Sequence, residues 1–292
     1  MVRRILSTCL AAWVVVGCGS TSGGNLESTS RAQIVVTHAV LGAVVTELVD
    51  GAADVKVLVP NGTDPHEWEP SAKDIEALDH ADLVVANGLN LESRLIEVLG
   101  RAEDDGVPVF RATDHVDVRG GGDGHGDEGG DPHFWTDPFE MSQVVVALSA
   151  RLDAIGIDVD GEELSDEYAT LDAQVRGVLA GISNRVLVTG HESLGYFADR
   201  YDFELVGAVI PGMSTEVEAT ASNLSELKDA MKAAGVDVIF TETGTPDDVT
   251  RTIADETGAR VVELGTHLVP AQGTYRSFIV GLASTIADAL AS

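Results

Sequence analysis

The run Asp64-Pro65-His66-Glu67-Trp68-Glu69-Pro70 is repeated further along the chain as Asp131-Pro132-His133-Phe134-Trp135-Thr136-Asp137-Pro138. Proline fixes its own φ and biases the preceding residue toward extended geometry, so each Asp-Pro is a stiff turn presenting the next histidine in one direction. Stiff presentation suits a metal ion. One ring nitrogen binds the ion while the other N–H is held by an acceptor, and carboxylates stand close by in both copies. Two such loops bring His66 and His133 together only if they line a common cleft. The plainer alternative is a pair of turn histidines capping nearby carbonyls while the tryptophans pack a core. One copy leaves the two readings level, and the duplication favours metal ligation by both.

The chain has 292 residues, room for two domains with a core each. Its formal charge of -30, from 48 acidic against 18 basic residues, argues against nucleic acid or an anionic membrane surface as partner and is compatible with cations. Diffuse acidity also serves solubility. Arg3 and Arg4 precede an apolar run, Ile5 to Val16, too short to span a bilayer, so residues 1–17 read as a signal peptide. Val15-Val16-Gly17-Cys18 resembles a bacterial lipobox. Cleavage there removes Cys9 and leaves Cys18 as a lipidated N-terminus with no disulfide partner. Residues 18–32, rich in Gly, Ser and Thr, read as a flexible tether. The expected product is an exported body on the outer face of the cell membrane, touching it through lipid alone.

Apolar runs at 33–37, 55–59, 83–86 and 107–110 alternate with helical spacing at 41–49, 71–78 and 91–99, predicting an N-terminal α/β lobe over 33–139 with a parallel sheet. Within it, the glycine-rich acidic stretch 119–131 cannot bury a core and is expected to be mobile. His125, Asp123 and Asp127 there form either a loose metal-collecting lid or an ordinary solvated loop. Residues 140–183 read as a helical connector, with long helices at 140–152 and 162–179. A second α/β lobe, 184–292, is predicted from strands at 185–189, 205–210, 236–241 and 260–264 and helices at 194–199, 223–234, 247–257 and 275–290. The fold class is therefore α/β, two βα lobes with parallel sheets, with ligands expected beyond the carboxyl ends of the strands.

Of eight histidines, His80 at a helix end reads as a surface or capping residue, His115 lacks a supporting motif, and His38 reads as structural or as a support for a ligand. His66, His191 and His267 each fall just after a predicted strand. With His191-Glu192-Ser193-Leu194-Gly195-Tyr196-Phe197 the chain resembles the ZnuA-like solute-binding lipoproteins of zinc and manganese ABC importers. The likeness covers the chain after the signal. It rests on Gly62 to Pro70, Ala81-Asp82-Leu83-Val84-Val85-Ala86-Asn87-Gly88, the second Asp-Pro-His motif, Ile239-Phe240-Thr241-Glu242 and Ile253-Ala254-Asp255-Glu256-Thr257-Gly258-Ala259.

That resemblance implies a metal site in the inter-lobe cleft, with His66 and His133 from the first lobe and His191 from the second, and a long rigid helix near 162–179 limiting lobe motion. It implies an ABC permease as partner, a monomer, and no catalysis. The family's fourth ligand is usually a carboxylate shortly before a Thr-Tyr pair. Thr274-Tyr275 is present, but the preceding segment carries His267, which is taken as the fourth ligand, with Glu263, Glu242 or water as alternatives and Glu242 equally suited to an internal salt bridge. Three or four imidazoles in a tetrahedron suit Zn2+; a carboxylate in the fourth place would move the site toward Mn2+. The competing reading is a secreted zinc-dependent hydrolase with an open site on His66, His133 and His191 and Glu67 or Glu192 as base, although no H-E-x-x-H run is present.

Overall fold

Short β-branched runs bounded by turn residues form two sheets in the computed structural model, which describes residues 31–120, 129–271 and 273–291. The signal segment, Cys18, most of the tether, and His125, Asp123 and Asp127 lie outside the described residues. In the first sheet β1 (Gln33–Val36), β2 (Asp54–Val57), β3 (Leu83–Ala86) and β4 (Val109–Arg111) run parallel in the order β2-β1-β3-β4. Ile34 pairs with Val55 on one side and Leu83 on the other. All of β3 is buried, as a central parallel strand covered on both faces requires. The crossovers run through α1 (Ala39–Val49), α2 (Ala72–Asp79) and α3 (Ile96–Asp104). Ser71 precedes α2, and the Asp74 carboxylate accepts from its N–H at 3.1 Å and its hydroxyl at 2.7 Å. The largest boundary difference is at α3, which runs Ile96–Asp104 rather than 91–99 and follows a short 3-10 turn over Ser93–Leu95. Gly88, Leu89 and Asn90 all have positive φ, and the Glu92 carboxylate accepts the Asn87 N–H at 2.9 Å, which holds the chain out of helix there.

The second sheet, β5 (Val186–Thr189), β6 (Glu204–Ala208), β7 (Val238–Thr241) and β8 (Arg260–Glu263), is also parallel and has the equivalent order β6-β5-β7-β8. It carries α6 (Gly195–Tyr201), α7 (Ala221–Ala234), α8 (Asp247–Thr257) and α9 (Tyr275–Ala291). In each sheet the chain leaves the first strand to one side and returns on the other. The crevice beyond the strand ends at such a reversal is where open α/β sheets take ligands.

Between the sheets run α4 (Pro138–Asp153) and α5 (Gly161–Leu179). Asp137 starts the first by accepting the Phe139 N–H at 2.8 Å, and Asp160 starts the second by accepting that of Glu163 at 2.9 Å. Gly161 allows close approach, since a Cβ there would collide with Ser149. Tyr168 on α5 packs its ring at a tilt against that of Tyr275 of α9, 4.8 Å between centroids, and donates its hydroxyl to Glu47 of α1 at 3.0 Å. One continuous apolar core accordingly includes Ile34 and Val85 of the first sheet, Leu171 and Val175 of α5, and Leu187, Phe240 and Ile286 of the second half. The stretch 119–131 is anchored at both described ends: Arg119 donates its N–H to the Tyr196 hydroxyl at 2.9 Å, and Asp131, fully buried, donates to the Arg119 carbonyl at 2.8 Å. Among the described residues no helix is long and apolar enough to cross a membrane.

Candidate metal centre

The repeated Asp-Pro-His run is one local structure used twice. Asp64 Oδ1 accepts the backbone N–H of His66 at 2.9 Å, and Asp131 Oδ1 accepts that of His133 at the same 2.9 Å. Each aspartate thereby closes a short turn that fixes where its histidine leaves the backbone. Asp131 Oδ1 also lies 2.8 Å from His133 Nδ1, which selects the tautomer whose Nε2 lone pair is free. Arg119 backs this carboxylate at 3.6 Å. The tryptophans diverge: Trp68 is half-buried on a small outer core, whereas Trp135 is fully buried and its indole N–H donates to the Thr266 carbonyl at 3.0 Å.

His191 follows β5 as expected. Its backbone N–H donates to Glu242 Oε1 at 3.2 Å, and its Nδ1 stands 3.1 Å from the same oxygen. Its Nε2 is thereby turned to the first lobe. His191 Nε2 lies 3.2 Å from His133 Nε2, which lies 3.3 Å from His66 Nε2. Nitrogens at tetrahedral angles around an ion with bonds of about 2.05 Å are about 3.3 Å apart, so the spacing matches a zinc-sized centre. His66, His133 and His191 form one group of potential ligands whose donor atoms lie within 4.8 Å of one another, and all three are buried.

His267 stands beside this group rather than inside it, in a second set with His191 and Glu242. Its ring lies nearly parallel to that of His191 at 6.5 Å and 5.5 Å from that of Trp135. Neither of its ring nitrogens makes a hydrogen bond among the described residues, although the side chain is buried. Glu242 is fully engaged: besides His191 it accepts from the Ser193 hydroxyl at 2.8 Å and the Thr266 hydroxyl at 2.6 Å. Burial raises its pKa, but His191, the Thr266 hydroxyl and the charge of His267 outweigh burial and bring it to about 2. Glu263 is exposed at the end of β8 and belongs to neither group.

Burial, reinforced by the neighbouring imidazoles, holds His66 well below the ordinary histidine range, and burial does the same to His267. Both are neutral near pH 7, with lone pairs to give. His191 is also pushed down by burial, but Glu242 more than reverses this. His38 lies behind the group: Nε2 is 3.2 Å from Asn87 Oδ1, and the ring is 4.9 Å from that of Trp135. His80 caps its own helix through the Glu76 carbonyl at 2.9 Å, and His115 stacks on Phe110 at 4.7 Å. Neither approaches the cleft group.

Burial lowers the His38 pKa from 6.5 to about 4. The unfolded chain therefore takes a proton first as the pH falls, and stability present above pH 6.5 is lost progressively toward pH 4. That gap corresponds to about 3 kcal/mol. His66 and His267 act in the same direction, so His38 is isolated by difference. Urea unfolding of the metal-free protein at pH 7 and pH 4.5 is expected to show a smaller acid loss in His38→Gln than in the unaltered chain, and an equal loss would refute the assignment.

Residues 34–289 match the model of the ZnuA family, described as "Zinc-uptake complex component A periplasmic". The chain belongs to the ZnuA family. ZnuA-family relatives include the "Zinc-binding protein TroA" of Treponema pallidum, 29% identical over 320 aligned positions covering 100% of both chains. The "High-affinity zinc uptake system protein ZnuA" of Bacillus subtilis is 28% identical over 281 residues, 90% of this chain and 86% of that one. The "Manganese-binding lipoprotein MntA" of Halalkalibacterium halodurans is 26% identical over 275 residues, 90% and 88% of the two chains. The solved structure of the periplasmic zinc-binding protein TroA superposes with a TM-score of 0.77 at 26% identity, covering 89% of this chain and 99% of the other. The ZnuA family consists of metal-binding transport proteins, not enzymes. Sequence reasoning singled out His66, His133, His191 and His267 but gave no supporting role to Ser193, Thr266, Asn87 and Arg119. The role of each depends on a partner distant in sequence: Glu242 for Ser193 and Thr266, Pro132 for Asn87 and Asp131 for Arg119.

Proposed function

We propose that this chain captures one zinc ion outside the cytoplasmic membrane and delivers it to the permease of an ABC importer, with His66, His133, His191 and His267 as ligands. The observation that carries this reading is the meeting of three buried Nε2 atoms, two from one lobe and one from the other, at 3.2 and 3.3 Å. His267 supplies the fourth place because a buried imidazole with both nitrogens unmatched is costly unless a ligand answers it. Glu242 is occupied by protein donors and serves as the orienting carboxylate of His191. The ion therefore meets nitrogen, which favours zinc over manganese. Cys18 anchors the molecule by its lipid, and the body acts as a monomer. The hydrolase reading is not supported: the family is not enzymatic, and a buried imidazole flanks the place that an attacking water would need.

Zinc titration of the protein against a chromophoric chelator at pH 7.5 is expected to give one tightly held ion per chain. Its affinity should fall as the pH is lowered, beginning above pH 6.5, because Glu242 raises the His191 pKa and a protonated imidazole has no lone pair to give. Absence of tight zinc binding would sink the reading. Glu242→Gln keeps the shape but weakens the hold on His191, and is expected to lower zinc affinity by about 10- to 100-fold with little change in secondary structure. Unchanged affinity would show that Glu242 does not orient a ligand.

A further inference from the structure

The backbone of His66 is bracketed by two groups that both lead to one short segment of the opposite lobe. On the amide side, Asp64 Oδ1 holds the His66 N–H at 2.9 Å while Asp64 Oδ2 accepts the Thr215 hydroxyl at 2.6 Å. On the carbonyl side, the Ser93 hydroxyl lies 3.3 Å from the His66 carbonyl oxygen and 3.4 Å from Glu216 Oε2. Arg94 continues this contact, pairing with Glu216 Oε1 at 3.0 Å and with Glu69 of its own lobe. Thr215 and Glu216 are consecutive, so one strap touches both ends of a ligand that belongs to the other sheet. The strap is anchored in turn beside His191: Glu192 donates its N–H to the Gly212 carbonyl at 3.0 Å and accepts the Gly212 N–H at 3.2 Å. The contact is close-fitting. Gly244 faces Asp64 at φ +92, and a Cβ there would collide with the Asp64 carboxylate. A cavity of about 660 Å³ lined by Asp64, Glu67, Glu69, Arg94 and Gly244 opens beside this junction.

We infer that Thr215 and Glu216 are positioning residues that hold His66 against the second lobe and so set the rate at which the bound divalent cation leaves. This rests on the zinc-carrier reading above. Asp64 and Thr215 are both buried, so their hydrogen bond is shielded from water and is the stronger half of the clasp. Arg94 and Glu216 are 40% and 38% exposed as side chains, so their pairing is screened by salt and is the weaker half. Opening the strap frees the His66 turn from the second lobe while leaving the Asp131–His133 and Glu242–His191 pairs in place. His66 is then the ligand that lets go first.

The test uses the full chain loaded with zinc, with the dissociation rate read by chasing with excess chelator. Thr215→Val keeps the shape and removes the hydroxyl, and is expected to speed zinc release by about tenfold or more. Thr215→Ser restores the hydroxyl and is expected to release zinc within about twofold of the unaltered chain. Glu216→Gln lies at the exposed rim, where a folding defect is not expected, and should give a smaller acceleration that added salt reproduces in the unaltered chain. Equal release rates for the Val, Ser and unaltered proteins overturn the inference. So does acceleration that Ser fails to reverse, and so does an unaltered rate in Glu216→Gln should Thr215→Val not fold. Zinc binding by the unaltered chain separates the two claims: none overturns both, while normal binding with equal rates overturns only the positioning role.

Discussion

Replacing His133 by alanine is expected to weaken zinc binding by about 10²- to 10³-fold, the largest loss any single ligand substitution should give. Structural zinc sites release about 10–16 kcal/mol in total, so each of the four proposed ligands would account for about 3–4 kcal/mol. His133 has more than an even share, because its Nε2 is the atom that lies close to those of both His66 and His191. Its removal also strips Asp131, fully buried, of the ring partner at 2.8 Å and leaves the carboxylate to a backbone N–H and a guanidinium 3.6 Å away. Competition with a chelator measures the loss. His80→Ala is the matched control, because that exposed ring bonds only within its own helix and should leave affinity unchanged. Wild-type affinity in His133→Ala would remove the residue on which the whole site is built.

Trp135→Ala is expected to cost about 3–5 kcal/mol of folding stability, the range for emptying the volume of a large buried aromatic side chain. Trp135 is fully buried and packs its ring against His38 at 4.9 Å, His133 at 5.2 Å and His267 at 5.5 Å. The substitution also leaves the Thr266 carbonyl without its donor, adding about 1–3 kcal/mol if no water enters. Against a typical total of about 5–15 kcal/mol this is a large fraction, and zinc affinity should fall with it because two of the proposed ligands, His133 and His267, lose their backing. Urea unfolding followed by circular dichroism measures the cost. Trp68→Ala, at the half-buried counterpart in the repeated motif, should cost less than half as much. Equal costs would show that the two tryptophans are interchangeable, contrary to their different surroundings.

The contrast between the two tryptophans marks what a linear reading can reach. The repeated Asp-Pro-His run was legible because its geometry is local: each aspartate holds the amide two residues ahead, so residue order alone describes the turn. The alternation of strands and helices was legible for the same reason, down to α8, whose predicted limits match Asp247–Thr257. Helix α3 was misplaced at its start because the Glu92 side chain turns back to the Asn87 amide, a choice that propensity does not encode. The fate of Glu242 and Glu263 was not legible either. Both stand at the carboxyl ends of strands, Glu242 just after β7 and Glu263 as the last residue of β8, yet one is buried among three donors and the other faces solvent at the edge of the sheet. Only the strand order distinguishes an inner β7 from an outer β8.

The packing of α5 has a consequence for how a transport partner would recognise cargo. Because Tyr168 joins that helix to α1 and α9 at once, and a single apolar core runs from the first sheet to the last helix, the halves cannot swing apart without exposing buried hydrocarbon. Full and empty molecules should then share nearly the same silhouette. A membrane protein that must tell them apart would have to sense fine relief around the groove, at the scale of single side chains, rather than a change in overall shape.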